Sequence, residues 1–93
     1  MVTWDEKKRK QVIRDHGVDF ARIADVFQDP FAIIERDLAH SDAEERWLAI
    51  ARSSEYGILG VVYTFRDQQI RLITARRAEK WMTRLYEKQR DRP

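Results

Sequence analysis

ILGVVYTFRDQQIRLITA, residues 58–75, contains two runs of β-branched and aromatic residues that are separated by four polar residues, 66–69. Residues of these types favour strands. The break is short enough to join two antiparallel strands in a hairpin, although it lacks the Asn-Gly pair that marks the firmest hairpin signals. Shorter runs at 31–34 and 47–51 have the same character. We therefore predict an antiparallel meander of four strands, over 31–34, 47–51, 58–65 and 70–75.

Helical signals precede the strands. Residues 3–6 fit a capping box, which predicts a first helix over residues 7–16 that ends at Gly17. Asp19 is a suitable N-cap for a second short helix, which the pair at 29–30, Asp-Pro, should stop. The apolar residues of this second helix recur at helical spacing: Phe20, Ile23, Ala24 and Phe27.

A closing helix is predicted from Arg77 onward, because its apolar residues form one stripe, and residues 90–93 should fray. The stripe consists of Ala78, Trp81, Met82, Leu85 and Tyr86. The expected fold is one α+β domain over residues 1–93, with two N-terminal helices, the antiparallel sheet and a C-terminal helix, and with room for one more short N-terminal strand. The helices cover one face of the sheet and leave the other for a ligand or partner.

Charge is unevenly distributed along the chain, although the net charge is only +2. Residues 19–45 contain eight acids and two bases, whereas residues 66–92 contain nine bases and four acids. The last third therefore favours an anionic partner. There is no cysteine, and no apolar run approaches the roughly 18 residues that a membrane span needs, so we expect a cytoplasmic protein without a membrane partner.

Several classes of site are excluded by the residues present. The two histidines are 24 positions apart and no acidic spacing resembles a calcium loop, so no metal site is predicted. The three glycines form neither a dinucleotide-binding nor a phosphate-binding loop, and there is no nucleophile elbow. We expect no cofactor.

Six strings in register across residues 4–78 together resemble the BrnT toxins of bacterial type II toxin-antitoxin systems. The strings are Trp4-Asp5-x-x-Lys8, His16-Gly17-Val18-x-Phe20, Val26-Phe27-x-Asp29-Pro30, Glu45-Arg46-Trp47, Val61-Val62-Tyr63-Thr64-x-Arg66 and Ile70-Arg71-x-Ile73-x-Ala75-Arg76-x-Ala78. The resemblance implies a RelE-like fold and metal-independent endoribonuclease activity that inhibits translation. It also implies neutralisation by a BrnA-like ribbon-helix-helix antitoxin, through which the toxin would form oligomers and reach operator DNA.

The chain departs from the family pattern at four places. Val12, Asp15 and Ala51 stand where Asn, Lys and Gly are usual, and Met82-Thr83 replaces a common Glu-Arg pair. The last departure leaves a second interpretation open, in which the chain is a non-catalytic RNA- or protein-binding subunit of a toxin-antitoxin repressor complex.

Cleavage of RNA without a metal requires stabilisation of the charge that develops on the phosphate, and the planar guanidinium of arginine is suited to this. Strand alternation places Thr64 and Arg66 on one side of their strand, and Arg71, Ile73 and Ala75 on one side of the next, with Arg76 at its end. We predict a cluster of Arg66, Arg71 and Arg76. The resemblance favours catalytic roles for Arg66 and Arg76, whereas from spacing alone all three are equally compatible with solvated arginines.

His40 is the candidate for proton transfer, because histidine titrates near neutral pH and this one lies in a polar connection. The alternative is a simply exposed loop histidine. His16 is interpreted as a helix-end residue and is excluded from the site. General RNA binding is assigned to Lys8, Arg46, Arg71, Arg77 and Arg84, each of which has solvation of its element as the alternative.

Three further features have competing interpretations. Trp47 and Tyr63 are suitable for stacking on bases, but core packing is the preferred interpretation. Trp81 and Met82 are expected to pack on the sheet, with the antitoxin as the alternative. The acidic residues of 25–45 are a candidate contact for a basic antitoxin segment, although a solvated surface is the simpler interpretation.

Overall fold

The computed structural model describes residues 1–40 and 44–93, with the backbone alone at His40. In these residues five strands form one sheet in the order β1-β5-β4-β3-β2. The strands are β1 (Val2–Thr3), β2 (Ile33–Arg36), β3 (Trp47–Ser53), β4 (Gly57–Arg66) and β5 (Gln69–Arg77). The helices are α1 (Glu6–His16) and α2 (Lys80–Arg90), and short 3-10 helices span Phe20–Arg22, Ala24–Gln28 and Leu38–His40. The predicted α+β class is confirmed.

The sheet is mixed rather than antiparallel throughout. Strands β2 to β5 form the predicted meander, but β1 lies parallel to β5, with Val2 beside Ile70 and Thr3 beside Arg71. The Thr3 hydroxyl donates to the Ile70 carbonyl at 3.2 Å. Thr3 therefore belongs to the sheet, so the prediction that it begins the capping box of α1 was wrong.

Local capping defines α1. Asp5 is the N-cap, and its carboxylate accepts from the backbone N–H of Lys7 at 2.8 Å. At the other end Gly17 adopts φ 68°, and its N–H donates to the Ile13 carbonyl at 2.9 Å. This left-handed conformation has little cost for glycine, so the predicted end of the helix is confirmed.

The predicted second helix is instead two 3-10 helices. Phe20, Ile23 and Val26 are three positions apart and fully buried, which fits the three-residue turn of a 3-10 helix. Asp19 caps the first of them by accepting from the Ala21 N–H at 2.9 Å. Ile23 separates the two with φ −125°, which breaks a continuous helical backbone.

The hairpin of β4 and β5 is confirmed, and its turn consists of Asp67 and Gln68 with φ 54° and 64°. Two positive φ values are those of the type I′ turn, whose twist matches that of the flanking strands. The register shifts between Val62, which lies opposite Thr74, and Tyr63, which lies opposite Leu72. Ile73 is thus an extra residue, a β-bulge on β5.

The two faces of the sheet are covered differently. One face packs against α1 and the 3-10 helices around Val12, Phe20 and Val61. Among the described residues, the other face is covered by α2 alone, whose Met82 and Tyr86 pack on Ile50. Met82 lies so close to Gly60 that a Cβ at that position would be 3.0 Å from its sulfur atom, so the absence of a side chain allows α2 to approach the sheet.

The bounds of β2 and α2 differ by a few residues from the predicted ones. The strand predicted at 31–34 is Ile33–Arg36, because Asp29 turns the chain by accepting from the Phe31 N–H at 2.9 Å. The closing helix begins at Lys80 rather than Arg77, because β5 extends through Arg77. In the part of the chain that the structure describes, no helix has the length and apolar character to cross a bilayer.

Candidate functional site: a basic groove

A groove of about 430 Å³ lies on the part of the α2 face that the helix leaves uncovered. The charged and titratable residues that line it come from α1, from the connection between β2 and β3, and from β5: Lys8, His16, Asp37, Arg46 and Arg76. Its apolar and neutral lining comes from the sheet and from α2: Leu48, Gly60, Val62, Ile73, Thr74, Trp81 and Met82. We call it the basic groove. It has an apolar floor under several positive groups, where charge interactions are less screened than on an open surface.

Three elements bring the charges together. Lys8 and His16 lie about two turns apart on α1, which follows the β5 side of the sheet. Arg46 precedes β3, and its carbonyl accepts from the Asp37 N–H at 2.8 Å. That hydrogen bond joins the residue after β2 to the residue before β3, so both flanks of the connection meet at the groove.

The bulge at Ile73 determines where Arg76 lies. Arg71 and Arg76 are five positions apart, and regular alternation would direct them to opposite faces. With one extra residue between them, Arg71 lies opposite Thr64 and Arg76 opposite Gly60, and these two partners share the α2 face. The register therefore places Arg71 and Arg76 on one face of the sheet, together with Arg66, which lies two positions after Thr64 on β4. Ala75, predicted on the same side as Arg71, is instead buried in the opposite core.

Of the predicted cluster, only Arg76 lines the groove. Arg66 lies at the end of β4, where its guanidinium is 3.4 Å from the carboxylate of Glu44. Arg71 is half-buried beside Thr3 of β1. The remaining predicted catalytic residue, His40, has a side chain that lies outside the described residues.

The residues assigned to general RNA binding divide between surfaces. Lys8 and Arg46 line the basic groove, and their role in RNA binding stays a prediction. Arg77 lies on the opposite face, 5.6 Å above the ring of Tyr56, and so does not share a surface with Arg76. Arg84 is exposed on α2 away from the groove lining.

His16 is the residue that sequence reasoning excluded and the structure places in the groove. Its position at the end of α1 is as predicted, but that end borders the uncovered face of the sheet. Helix-end capping and groove lining are compatible roles. The spacing of Lys8 and His16 along one helix was the available signal.

The aromatic residues of the strands are packing residues. Tyr63 is 5% exposed and meets Phe27 edge-on at 5.1 Å between ring centroids, and burial raises the pKa of its hydroxyl. Trp47 packs against the same core. The preferred interpretation of both as core residues agrees with this packing.

One partly buried hydrogen bond fixes α2 over the sheet. The Tyr86 hydroxyl, in a residue 1% exposed, donates to Asp29 Oδ2 at 2.7 Å. The same carboxylate accepts from the backbone N–H of Arg52 at 2.8 Å and of Phe31 at 2.9 Å. Desolvation raises the pKa of Asp29, but these donors outweigh it and the pKa ends below its ordinary value. Desolvation and the hydrogen bond together raise the pKa of Tyr86 to about 12.

Among residues 1–40 and 44–93, no group of three or more His, Cys, Asp or Glu side chains is placed to hold a metal ion. The groove's charged lining is mainly cationic, which suits an anion rather than a cation. Phosphate groups are among the anions that lysine and arginine bind, and the planar guanidinium of arginine can hold two phosphate oxygens at once.

Comparisons with known proteins identify the family of the chain. The family model described as "Ribonuclease toxin, BrnT, of type II toxin-antitoxin system" matches residues 4–81. The chain is also similar to the 1.1 Å crystal structure of the Brucella abortus ribonuclease toxin, BrnT, with 27% identity and a TM-score of 0.69 over 85% of this chain and 96% of that one. A comparison with curated proteins gives no match. The chain belongs to the BrnT family of ribonuclease toxins of type II toxin-antitoxin systems.

Proposed function

We propose that this chain is an endoribonuclease that cuts RNA in the basic groove without a metal ion and thereby inhibits translation in the cytoplasm. The observation that supports this most directly is the convergence of Lys8, His16, Arg46 and Arg76 on one groove with an apolar floor. Family membership supports the ribonuclease class, and the groove supports a substrate with phosphate groups.

The chemistry needs three tasks. A ribose 2′-OH loses its proton to a base and attacks the adjacent phosphorus, and the phosphorane oxygens gain negative charge. The bond from phosphorus to the 5′-oxygen then breaks as that oxygen takes up a proton, which leaves a 2′,3′-cyclic phosphate and a 5′-hydroxyl. Arg46 and Arg76 are suited to holding the phosphorane oxygens, because each guanidinium offers several N–H donors in one plane. His16, which lines the groove, is the residue we assign to proton transfer, since the two nitrogens of an imidazole can accept and donate protons. The predicted role of His40 stays a prediction.

Cleavage of single-stranded RNA in the presence of a chelator tests this function. Arg76→Ala and Arg46→Ala should each lower the rate about 100- to 1000-fold, the usual loss when one group that stabilises developing charge is removed. Arg77→Ala is the matched control, because the neighbouring arginine lies on the opposite face. Equal rates for Arg76→Ala and Arg77→Ala would contradict the assignment of the groove, and loss of all activity in chelator would contradict a metal-independent reaction.

A second candidate function is RNA binding without cleavage. Met82 lines the groove where the family pattern commonly has a glutamate, so the groove has a thioether in place of an acid at that point. Salt-dependent RNA binding with no product after long incubation would favour this function. His16→Ala would then leave the RNA intact, as the wild type does.

Type II family membership implies an antitoxin partner. We propose that a BrnA-like ribbon-helix-helix antitoxin silences the toxin by covering the basic groove. The antitoxin would also hold the oligomer together, and the toxin would reach operator DNA only through the antitoxin. Footprinting of RNA on the toxin with and without the antitoxin tests this. Unchanged access of RNA to the groove in the complex would contradict it.

A further inference from the structure

Trp81 is a large aromatic residue at the rim of the basic groove, in the first turn of α2. Its side chain is 45% exposed, whereas Met82, the next residue, is 2% exposed and packs under the helix. In the apolar stripe of α2, Met82 and Tyr86 therefore hold the helix on the sheet, whereas the indole of Trp81 lines the groove together with Arg76.

One carboxylate fixes both groove residues. Glu79 Oε1 pairs with the Arg76 guanidinium at 2.5 Å, and Glu79 Oε2 accepts from the Trp81 indole N–H at 3.2 Å. Glu79 occupies the N-cap position of α2, but its side chain does not cap the helix. Its two oxygens instead join a strand arginine to a helix tryptophan, both of which line the groove.

This tether leaves the indole available for stacking. The N–H of an indole lies in the plane of the ring, so a hydrogen bond to it restrains the ring at its edge and does not occupy the ring faces. A held aromatic ring loses less conformational entropy on binding than a free one. Any of the four bases has a flat face that stacks on such a ring, so this contact depends little on base identity.

We infer that Trp81 is a stacking platform for one unpaired nucleobase whose neighbouring phosphate binds Arg76, and that Glu79 is the positioning residue for both. This rests on the proposed function and narrows the substrate to single-stranded RNA. A base inside a duplex has both faces covered by its neighbours and cannot reach the ring without unstacking.

Affinity for an uncleavable RNA tests the inference apart from catalysis. A fluorescently labelled oligonucleotide with 2′-O-methyl groups throughout lacks the attacking hydroxyl, and its binding is measured by anisotropy. Trp81→Leu should weaken binding about 5- to 100-fold, and Trp81→Phe, which keeps a stacking ring, should weaken it less. Phe65→Leu is the matched control, because Phe65 is 57% exposed but lies outside the groove lining, and its affinity should stay within about twofold of wild type.

An abasic scan locates the stacked base. One position of the oligonucleotide should lose affinity in the wild type when its base is removed, and the same removal should have no further effect in Trp81→Leu. Glu79→Ala should abolish this position-specific loss. Glu79→Gln, whose one amide oxygen still accepts from the indole N–H but whose NH2 cannot accept from Arg76, should retain the position-specific loss while its overall affinity falls. Such rescue separates positioning from a general effect on folding.

Several outcomes would overturn the inference. The first is an affinity of Trp81→Leu for the oligonucleotide equal to that of Phe65→Leu. The second is a loss of affinity in Trp81→Leu that is as large for duplex RNA as for single-stranded RNA, and the third is a Trp81→Leu variant that loses affinity for the antitoxin alone. In each case cleavage by the wild type would still support the proposed function. Absence of RNA binding by the wild type would contradict the proposed function as well.

Discussion

Tyr86→Phe removes the one side-chain hydrogen bond that ties the middle of α2 to Asp29 while leaving the packed ring in place. A hydrogen bond to a charged group contributes about 1.5–3 kcal/mol. Asp29 keeps two backbone donors, from Arg52 and Phe31, so the carboxylate is not left unsatisfied and the lower end of this range applies. A loss of about 1.5 kcal/mol lowers the Tm of a domain of this size by about 6–12 °C.

The effect should depend on pH with a definite sign. The folded pKa of Asp29 lies below its ordinary value, with desolvation outweighed by hydrogen bonds from Arg52, Phe31 and Tyr86. Stability from such a group is fully present above its unfolded pKa of about 3.9 and is lost as the pH falls through the folded pKa. The difference between wild type and Tyr86→Phe should therefore be constant near neutral pH and shrink below about pH 4.

Urea unfolding at pH 7 and pH 3 measures both effects. Tyr63→Phe is the control, because its ring packs against Phe27 and should stay packed without the hydroxyl. It should lose less stability than Tyr86→Phe and show the same difference from wild type at both pH values. Wild-type stability in Tyr86→Phe, or an equal loss at pH 7 and pH 3, would refute the role assigned to this hydrogen bond.

Three further substitutions test local geometry by thermal unfolding. Asp19→Ala removes the cap of the first 3-10 helix and should cost about 1 kcal/mol from the cap alone, so an unchanged Tm would contradict that role. Gly17→Ala forces a side chain into φ 68° and should cost about 1 kcal/mol; wild-type stability would mean that the chain leaves α1 differently. Gln68→Gly relieves φ 64° in the hairpin turn and should raise stability by about 0.5–1 kcal/mol, whereas a loss would contradict the type I′ assignment.

The parts of the fold that the sequence predicts best are those with a strong local signal. The two long strands and their hairpin follow from residues 58–75, and the end of α1 follows from Gly17. The two-residue strand β1 has too few residues for any period to be visible. The 3-10 segment is mistaken for an α-helix because, over eight residues, spacings of 3 and of 3.6 both place the apolar side chains on one face.

The acidic residues of 19–45 show why a count of charges along the sequence does not predict the charge of a surface. Three of these residues accept from backbone N–H groups: Asp19 from Ala21, Asp25 from Ser54, and Asp29 from Arg52 and Phe31. These carboxylates hold turns and loop ends in place rather than forming a free acidic surface. The preference of aspartate for such capping positions was visible in the sequence, but its distant partners on β3 and beyond were not.

The candidate site depends on one inserted residue. Side-chain alternation assigns every residue of a strand to a face, and a single bulge reverses the assignment for all that follow. On β5 the bulge at Ile73 comes between Arg71 and Arg76, and no composition or charge pattern in that run announces it. Because of it Ala75 turns into the core and Arg76 turns towards the groove, where α1 supplies His16 from sixty positions earlier in the chain. Deleting Ile73 leaves Arg71 and Arg76 four positions apart, so regular alternation should keep Arg76 opposite Gly60 on the groove face. Cleavage should therefore persist where the variant remains folded, and a folded variant without cleavage would contradict this account of the register.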